Sequence, residues 1–379
     1  MATLTLESVD KIYNRRGRQP VHAVRSVDMA LADGEIVGLL GSSGCGKTST
    51  LRMIAGFEDV TAGRIRVGDR IINDLRPAER NIAMAFEGYA LYPPLKIRDN
   101  IAFGLVRDRI PRAEVERRVA HVAALLEITD ILDRYPPTIS GGQQQRTSLA
   151  RALVRRAQLW LLDEPMSQLE PQLRAVLRAR IKDYLIEHKM TTVFVTHDQT
   201  EALALADRIA VMEAGELRQL AAPAQLKERP ADLFVASFIG EPPMNVMLGR
   251  VQRDGGTLRL QIARPDGDAA FALALPGANE APVLHERLAA RDSVHVGIRP
   301  HRVEITPDGP LAARVVSNQW LGDQTHLGLE VEGVVLIVVA DAAVDAAVGT
   351  RVQIDLPATA LHLFDTATGK ALTHGLEPA

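Results

Sequence analysis

The sequence predicts an α/β domain with a mostly parallel sheet, followed by a small all-β domain. Over residues 1–240, short apolar runs alternate with helix-period segments, as in a sheet covered by helices on both faces. A glycine-rich stretch, Gly41–Thr48, joins one such run to a helix. After Gly240-Glu241-Pro242-Pro243 the texture changes, and strand-like pieces recur between Gly, Asp and Pro turns, the pattern of a small barrel over 241–379.

Leu4-Thr5-Leu6-Glu7-Ser8-Val9 alternates apolar and polar like a half-buried strand. Gly34–Leu40 is a short apolar run bounded by glycine, as in a buried strand. It enters the glycine-rich stretch, and Thr50–Ala55 then reads as helix. From about Arg98 to Arg156 the pattern is helical. Ile110-Pro111 opens one helix with Val115, Val119, Val122 and Leu126 on a face, and Pro136-Pro137 closes that region. A further helix follows Ser140-Gly141-Gly142 and carries Leu149, Ala150 and Leu153. Strands return at Leu159–Leu162 and Thr191–Val195, and in the tail at Val294–Ile298 and Val334–Val339.

Composition narrows the function classes. The chain has 379 residues, 46% apolar and 24% charged, ordinary for a globular protein. With 44 basic and 47 acidic residues the net charge is −3, which gives no electrostatic footprint for nucleic acid. The single cysteine, Cys45, forms no internal disulfide and fits a reducing compartment. The segment Met1–Glu7 lacks a basic stretch followed by an apolar run, so no signal peptide is expected. No uncharged apolar stretch is long enough to span a bilayer, so a membrane role is expected to run through a partner.

Gly41-Ser42-Ser43-Gly44-Cys45-Gly46-Lys47-Thr48 fits the phosphate-loop pattern G-x-x-x-x-G-K-[ST], after a strand and before a helix. Glycines let backbone N–H groups turn toward phosphate oxygens, and the helix N-terminus adds partial positive charge. Lys47 is expected to reach the β- and γ-phosphates and the Thr48 hydroxyl to ligate Mg²⁺. Leu159–Leu162 delivers Asp163 and Glu164 at a strand end, where α/β folds bind ligands. Asp163 is expected to hold Mg²⁺, and Glu164 to orient or deprotonate the attacking water; the bland alternative is an acidic helix cap. His197, in Thr196-His197-Asp198 after the next strand, is placed to touch the γ-phosphate and that water. The other nine histidines are read as structural. Cys45 is read as a permitted loop residue open to alkylation, not as a nucleophile.

Ile139-Ser140-Gly141-Gly142-Gln143 lies between these parts, and with it the chain resembles the ATP-binding subunits of ABC transporters, in the maltose- and sugar-phosphate-type importer branch. Further markers are Ala90-Leu91-Tyr92-Pro93, Ser167-Gln168-Leu169-Glu170, Thr196-His197-Asp198-Gln199, Phe238-Ile239-Gly240, Val296-Gly297-Ile298-Arg299-Pro300 and Leu363-Phe364-Asp365, so the resemblance covers essentially the whole chain. It implies a phosphate-loop NTPase core of RecA-like type over 1–240, a helical subdomain at about 88–156, and an OB-like regulatory domain of TOBE type over 241–379. It implies ATP and Mg²⁺ as cofactors, with ATP hydrolysis driving import of a sugar, sugar alcohol or glycerol-phosphate-like solute.

The resemblance also implies two ATPase subunits, of the same chain or a paralogue, facing head to tail. Ser140, Gly141, Gly142 and Gln143 of one would close on the γ-phosphate held by Gly41–Ser49 of the other. Tyr13 matches an aromatic that stacks on adenine, a core or rim tyrosine being its alternative. Two transmembrane permeases would dock a coupling helix on Glu87–Pro94, and an extracytoplasmic protein would deliver the solute. The chain would sit peripherally on the cytoplasmic face of the inner membrane.

Two positions depart from the family pattern. Glu87 stands where the family usually has glutamine; it can still ligate Mg²⁺ but adds negative charge beside Asp163 and Glu164. Glu170 stands where the family usually has aspartate. Both keep oxygen ligands, so activity is expected at an altered rate. They also leave open a partly degenerate regulatory subunit paired with a more active, non-identical ATPase. A soluble ATPase acting on ribosomes or DNA would usually carry two cassettes or a coiled-coil insertion, and a simple kinase leaves Ser140–Gln143 unexplained.

Overall fold

The structure, a computed structural model, describes residues 2–14, 19–254 and 257–379. Strand β1 (Leu4–Tyr13) pairs antiparallel with β2 (Val21–Leu31) and is longer than the expected Leu4–Val9. The reason is a bulge: Ser8 has φ +46°, and the buried positions shift from Leu4 and Leu6 to Val9 and Lys11. That parity change hides the second half of the strand from a period-two reading.

The next strand, β3 (Ile36–Gly41), is buried at all six positions. Helix α1 (Lys47–Ala55) starts inside the glycine motif, ahead of the expected Thr50. Strands β4 (Ala62–Val67) and β5 (Arg70–Ile71) complete a first sheet, ordered β2-β1-β4-β5. Strand β6 (Ile82–Ala85) precedes three helices, α2 (Ile97–Arg107), α3 (Arg112–Leu125) and α4 (Gly141–Leu153). The expected face of α3 is the one that packs: Val115, Val119, Val122 and Leu126 are buried. Pro136 and Pro137 open a short 3-10 turn, and α3 stops well before them.

Then follow β7 (Leu159–Asp163), α5 (Pro171–Glu187), β8 (Thr192–Thr196), α6 (Gln199–Leu205), β9 (Arg208–Glu213) and β10 (Glu216–Ala221). The second sheet runs β10-β9-β3-β8-β7-β6 and is parallel except for the β9–β10 pair. Leu39, Leu161, Val193 and Val195 join Leu4, Leu6 and Ile65 in one buried cluster, so the two sheets share a core. Because β3, β8 and β7 are adjacent and parallel, their C-terminal ends bring Gly41, Asp163 and Thr196 to one sheet edge, the edge at which α/β sheets bind ligands.

By its packing the chain divides into Met1–Pro223 and Ala224–Ala379. This boundary lies ahead of Gly240, where the composition changes. The intervening segment hydrogen-bonds to the tail: Leu233 N–H donates to Gly369 O (2.8 Å) and Ala371 N–H to Ala231 O (3.0 Å).

The second unit holds helices α7 (Pro223–Glu228) and α8 (Leu233–Phe238), then β11 (Asn245–Asp254), β12 (Thr257–Ala263), β13 (Ala269–Ala274), α9 (Pro282–Leu288) and β14 (Ser293–Ile298). It continues through β15 (Glu304–Ile305), β16 (Leu311–Trp320), β17 (Thr325–Val331), β18 (Val334–Ala340), β19 (Arg351–Asp355), β20 (Leu361–Asp365), β21 (Ala371–His374) and β22 (Glu377–Pro378). Two antiparallel sheets, β13-β12-β11-β14-β20-β21-β22 and β15-β19-β16-β17-β18, enclose one core that includes Leu260, Val296, Leu327 and Ile354. No helix among the described residues is long and apolar enough to cross a membrane.

Candidate functional site

The glycine-rich stretch forms an arch whose donors are uncommitted. Among the described residues, the amides of Gly44, Gly46, Lys47 and Thr48 have no acceptor in the chain. Gly46, at φ +104°, caps α1 without a side-chain hydrogen bond, and no acid sits in the first turn. An unfilled, uncapped helix start of this kind is an anion site. Two glycines are required by space: a Cβ at Gly41 would lie 2.3 Å from Met212 O, and one at Gly46 would lie 2.4 Å from Ala23 O.

Lys47 is buried and folds back, Nζ donating to Gly41 O (2.8 Å) and Ser42 O (2.9 Å). The ammonium thus lies over the mouth of the arch. Ser42, Ser43 and Gly44 are exposed at its crest. Cys45 is only 3% exposed, with Sγ 3.7 Å from Lys47 Nζ, which corrects the expectation of a thiol open to alkylation. Tyr13, at the end of β1, shares a hydrogen bond with the hydroxyl of Ser49 on α1 (3.1 Å) and carries Lys11 Nζ over its ring at 4.8 Å. It therefore flanks the arch rather than filling the core.

At the end of β7, Asp163 is 4% exposed, and its Oδ1 has no hydrogen-bond partner among the described residues. Burial pushes its pKa up to about 6, helped by the charges of Glu87 and Glu164 and opposed by Arg52 and Lys47. A buried carboxylate oxygen without a donor suits a divalent cation. Glu87 is exposed, and its charge is one of the causes that raise the Asp163 carboxyl.

Glu164 follows in the left-handed region at φ +46°, which costs a non-glycine residue about 1 kcal/mol. Its amide donates to Val195 O (3.0 Å), so β8 fixes the turn. Its Oε1 lies 3.1 Å from His197 Nδ1. An ionised carboxylate only accepts, so the shared proton sits on Nδ1 and Nε2 is left for a ligand. His197 is 64% exposed at its side chain.

The turn that presents His197 is held from behind. Asp198 N–H donates to Thr196 Oγ1 (3.0 Å), whose hydroxyl donates to Glu201 Oε2 (3.0 Å). Asp198 caps α6 through Glu201 N–H and pairs with Arg174 (3.0 Å). Glu201 is 2% exposed, and burial pushes its pKa up to about 7.

Ser140 opens α4 with a capping box: its Oγ accepts from Gln143 N–H (3.3 Å) and Gln143 Oε1 accepts from Ser140 N–H (3.0 Å). The amides of Gly141 and Gly142 have no acceptor among the described residues. A Cβ on Gly142 would lie 3.2 Å from Gln168 O. Ser140 and Gly141 are exposed, so this second helix start faces outward.

Three residues that the motifs did not single out join these pieces. Gln145, 3% exposed on α4, donates to Glu164 O (2.8 Å) and Ser167 Oγ (3.0 Å) and accepts from Gln168 N–H (2.9 Å). Arg151, also on α4, donates to Ala90 O (2.7 Å) and Tyr89 O (3.0 Å), holding two left-handed residues at φ +44° and +59°. Glu201 braces the histidine turn. A sequence signal existed for Gln145: it is a polar residue one turn before Leu149 on the buried face of α4. Glu170 is exposed and caps α5 without a side-chain hydrogen bond, a bond that the shorter aspartate would favour.

Comparisons with known proteins give two family matches, ABC transporter over residues 24–167 and TOBE domain over residues 296–364. The first spans the arch, Ser140–Gln143, Asp163 and Glu164, and leaves Tyr13 and His197 outside. The chain is 40% identical to the sn-glycerol-3-phosphate import ATP-binding protein of Cupriavidus metallidurans, over 98% of this chain and 99% of that one. It is 40% identical to the xylose/arabinose import ATP-binding protein of Haloferax volcanii (98% and 96%), and 39% to the trehalose/maltose import ATP-binding protein of Thermococcus litoralis (98% and 100%). A solved dimeric ATP-binding cassette, in a post-hydrolysis state bound to ADP and phosphate, matches with TM-score 0.54 and 27% identity over 58% of this chain and 98% of that one.

Proposed function

We propose that this chain, which belongs to the ATP-binding subunits of ABC transporters in the sugar-importer branch, couples ATP hydrolysis to uptake of a sugar, sugar alcohol or glycerol-phosphate-like solute. The observation that carries the proposal is the pair of unfilled helix starts, one at Gly46–Thr48 and one at Gly141–Gly142. A single nucleotide needs one such start. A second, exposed one suits the γ-phosphate of a nucleotide held by another subunit.

In this reading the amides of Gly44, Gly46 and Lys47 and the Lys47 ammonium bind the phosphates, with Ser42, Ser43, Thr48 and Ser49 on the arch and Tyr13 against the adenine. Thr48, Asp163 and Glu87 would hold Mg²⁺, for which the partnerless Asp163 Oδ1 is the supporting observation. Bound there, Mg²⁺ would supply neutralisation of phosphate charge. Glu164 accepts the proton of the attacking water, and His197, oriented by the same carboxylate through Nδ1–H, turns its Nε2 lone pair toward that water beside the γ-phosphate.

The partners are a second ATPase subunit, two permeases and an extracytoplasmic solute-binding protein, with the chain peripheral on the cytoplasmic face of the inner membrane. A permease contact is supported by a cavity of about 300 Å³ lined by Phe57, Phe86, Tyr92, Phe103 and Arg151, next to Glu87–Pro94. Phe57, Tyr92 and Phe103 stay exposed there, as a docking surface requires. The partly degenerate alternative gains no support, since Glu164, His197 and the arch are intact. Co-expression with the permease pair tests the proposal. The chain should sediment with membranes only when the permeases are present, and solute uptake should vanish with Lys47→Ala; uptake unaffected by that variant would exclude the coupling role.

A further inference from the structure

The β-rich unit contains a buried cation without a counter-charge, beside a cavity of about 660 Å³. Arg299 follows β14 and is 3% exposed. Its guanidinium donates only to main-chain carbonyls: Nε and Nη2 to Lys227 O (3.2 and 3.0 Å), and Nη1 to Ala236 O (2.9 Å) and Ile239 O. No carboxylate pairs with it among the described residues, and burial draws its pKa down to about 10. Arginine keeps its proton near neutrality, so a full charge remains in a poorly hydrated site.

More basic groups line the same cavity. Lys227 and Arg302 are exposed, and neither side chain has an ion-pair or hydrogen-bond partner among the described residues. His362 and His374 lie with Nδ1 atoms 2.9 Å apart, so one ring donates to the other. Burial, then the neighbouring His374 and after it the positive charges of Arg299 and Arg302, draw His362 down to about 3; burial, then Arg229, draws His374 down to about 4. Every ionised neighbour acting on this pair is a cation. The acids at the cavity do not cancel that field. Glu377 is spent on Arg229 at 2.8 Å, and Glu228 and Glu304 are exposed to solvent, where their charges are screened.

We propose that this cavity binds a small phosphate-bearing anion, of the size of a phosphorylated polyol, held by Lys227, Arg302 and the imidazole pair and supplying the counter-charge of Arg299. Several cations around one cavity favour a dianion, and arginine and lysine donors fit phosphate oxygens. The volume exceeds what an inorganic ion fills and lies within the range of small-molecule sites. None of these residues belongs to the unit that carries the phosphate arch, so the inference stands independently of the transport reading.

Isothermal titration of the full chain with glycerol 3-phosphate tests it, with glycerol as the uncharged control. The nucleotide site is removed from the measurement by using the Lys47→Ala chain beside the ADP–Mg²⁺-saturated wild type. The expected result is saturable binding of glycerol 3-phosphate in both, none of glycerol, and affinity weakened at least ~10-fold in the Lys227→Gln/Arg302→Gln variant. Both substituted residues are exposed and unpaired, so folding is spared, and an unchanged Tm checks this. No binding at millimolar ligand, equal binding of glycerol, or an affinity untouched by the double variant overturns the proposal.

Discussion

Gln145 donates to the main-chain oxygen of Glu164 across 2.8 Å, tying the helix that opens at Ser140 to the residue proposed to activate water. The same side chain holds Ser167 and the amide of Gln168. A shift of α4 is therefore felt at the β7 turn without passing through the nucleotide. In the head-to-tail pairing proposed above, Ser140–Gln143 would meet a nucleotide on the partner, and this bond would link one subunit's closing surface to its own carboxylate.

Gln145→Ala should leave ATP affinity near wild type and lower kcat, because it removes positioning rather than binding. Three partners lose hydrogen bonds, at about 0.5–1.5 kcal/mol of stability each, since Glu164 and Ser167 are half-buried and Gln168 is exposed. Steady-state ATPase kinetics with a melting curve separate the two effects; a KM defect at constant kcat would contradict the positioning role.

Glu164→Gln should keep ATP binding and lose roughly 10²–10⁴-fold in turnover, the scale of a general base. With ATP present it should elute as a stable dimer in size-exclusion chromatography. Rapid hydrolysis by this variant would remove Glu164 from the role given to it.

Glu201 sets a pH dependence of stability. Its folded pKa, about 7, lies above the unfolded value of 4.5, so the folded state holds its proton longer. Stability from this group is full below pH 4.5, declines as pH rises from 4.5 to 7, and is flat above 7. The loss is on the order of 3 kcal/mol at ~1.4 kcal/mol per unit. Glu201→Gln should flatten that part of the curve in denaturant titrations between pH 5 and 8; an unchanged slope would assign the effect elsewhere.

Glu87→Gln removes one of the charges that raise the Asp163 carboxyl. Mg²⁺ should then compete with fewer protons near pH 6, and the acid limb of ATPase activity should move to lower pH. A pH profile for both chains decides it, and superimposable acid limbs would mean that Glu87 does not act on Asp163.

Much of this was legible in the sequence, for identifiable reasons. Gly41–Thr48, Asp163–Glu164 and His197 are contiguous motifs at the ends of apolar strands, and the parallel sheet brings those ends together. Gln145, Arg151 and Glu201 were not legible as site residues, since their roles consist of hydrogen bonds to main-chain or side-chain atoms that only the tertiary structure brings near. Strand β6 escaped because Ile82-Ala83-Met84-Ala85 is short and half alanine, with little β propensity. The bulge at Ser8 hides the second half of β1, and the burial of Cys45 comes from packing against Lys47 and β3, which the sequence does not display.

If the arch and the β7 carboxylate form one site, the chain is a working ATPase, and the decisive experiment is ATP turnover by the purified wild-type chain beside Lys47→Ala. Wild type should hydrolyse ATP in a Mg²⁺-dependent way, and Lys47→Ala should show nothing above background. Equal rates for the two chains, or an inert wild type that Glu87→Gln restores, would contradict it.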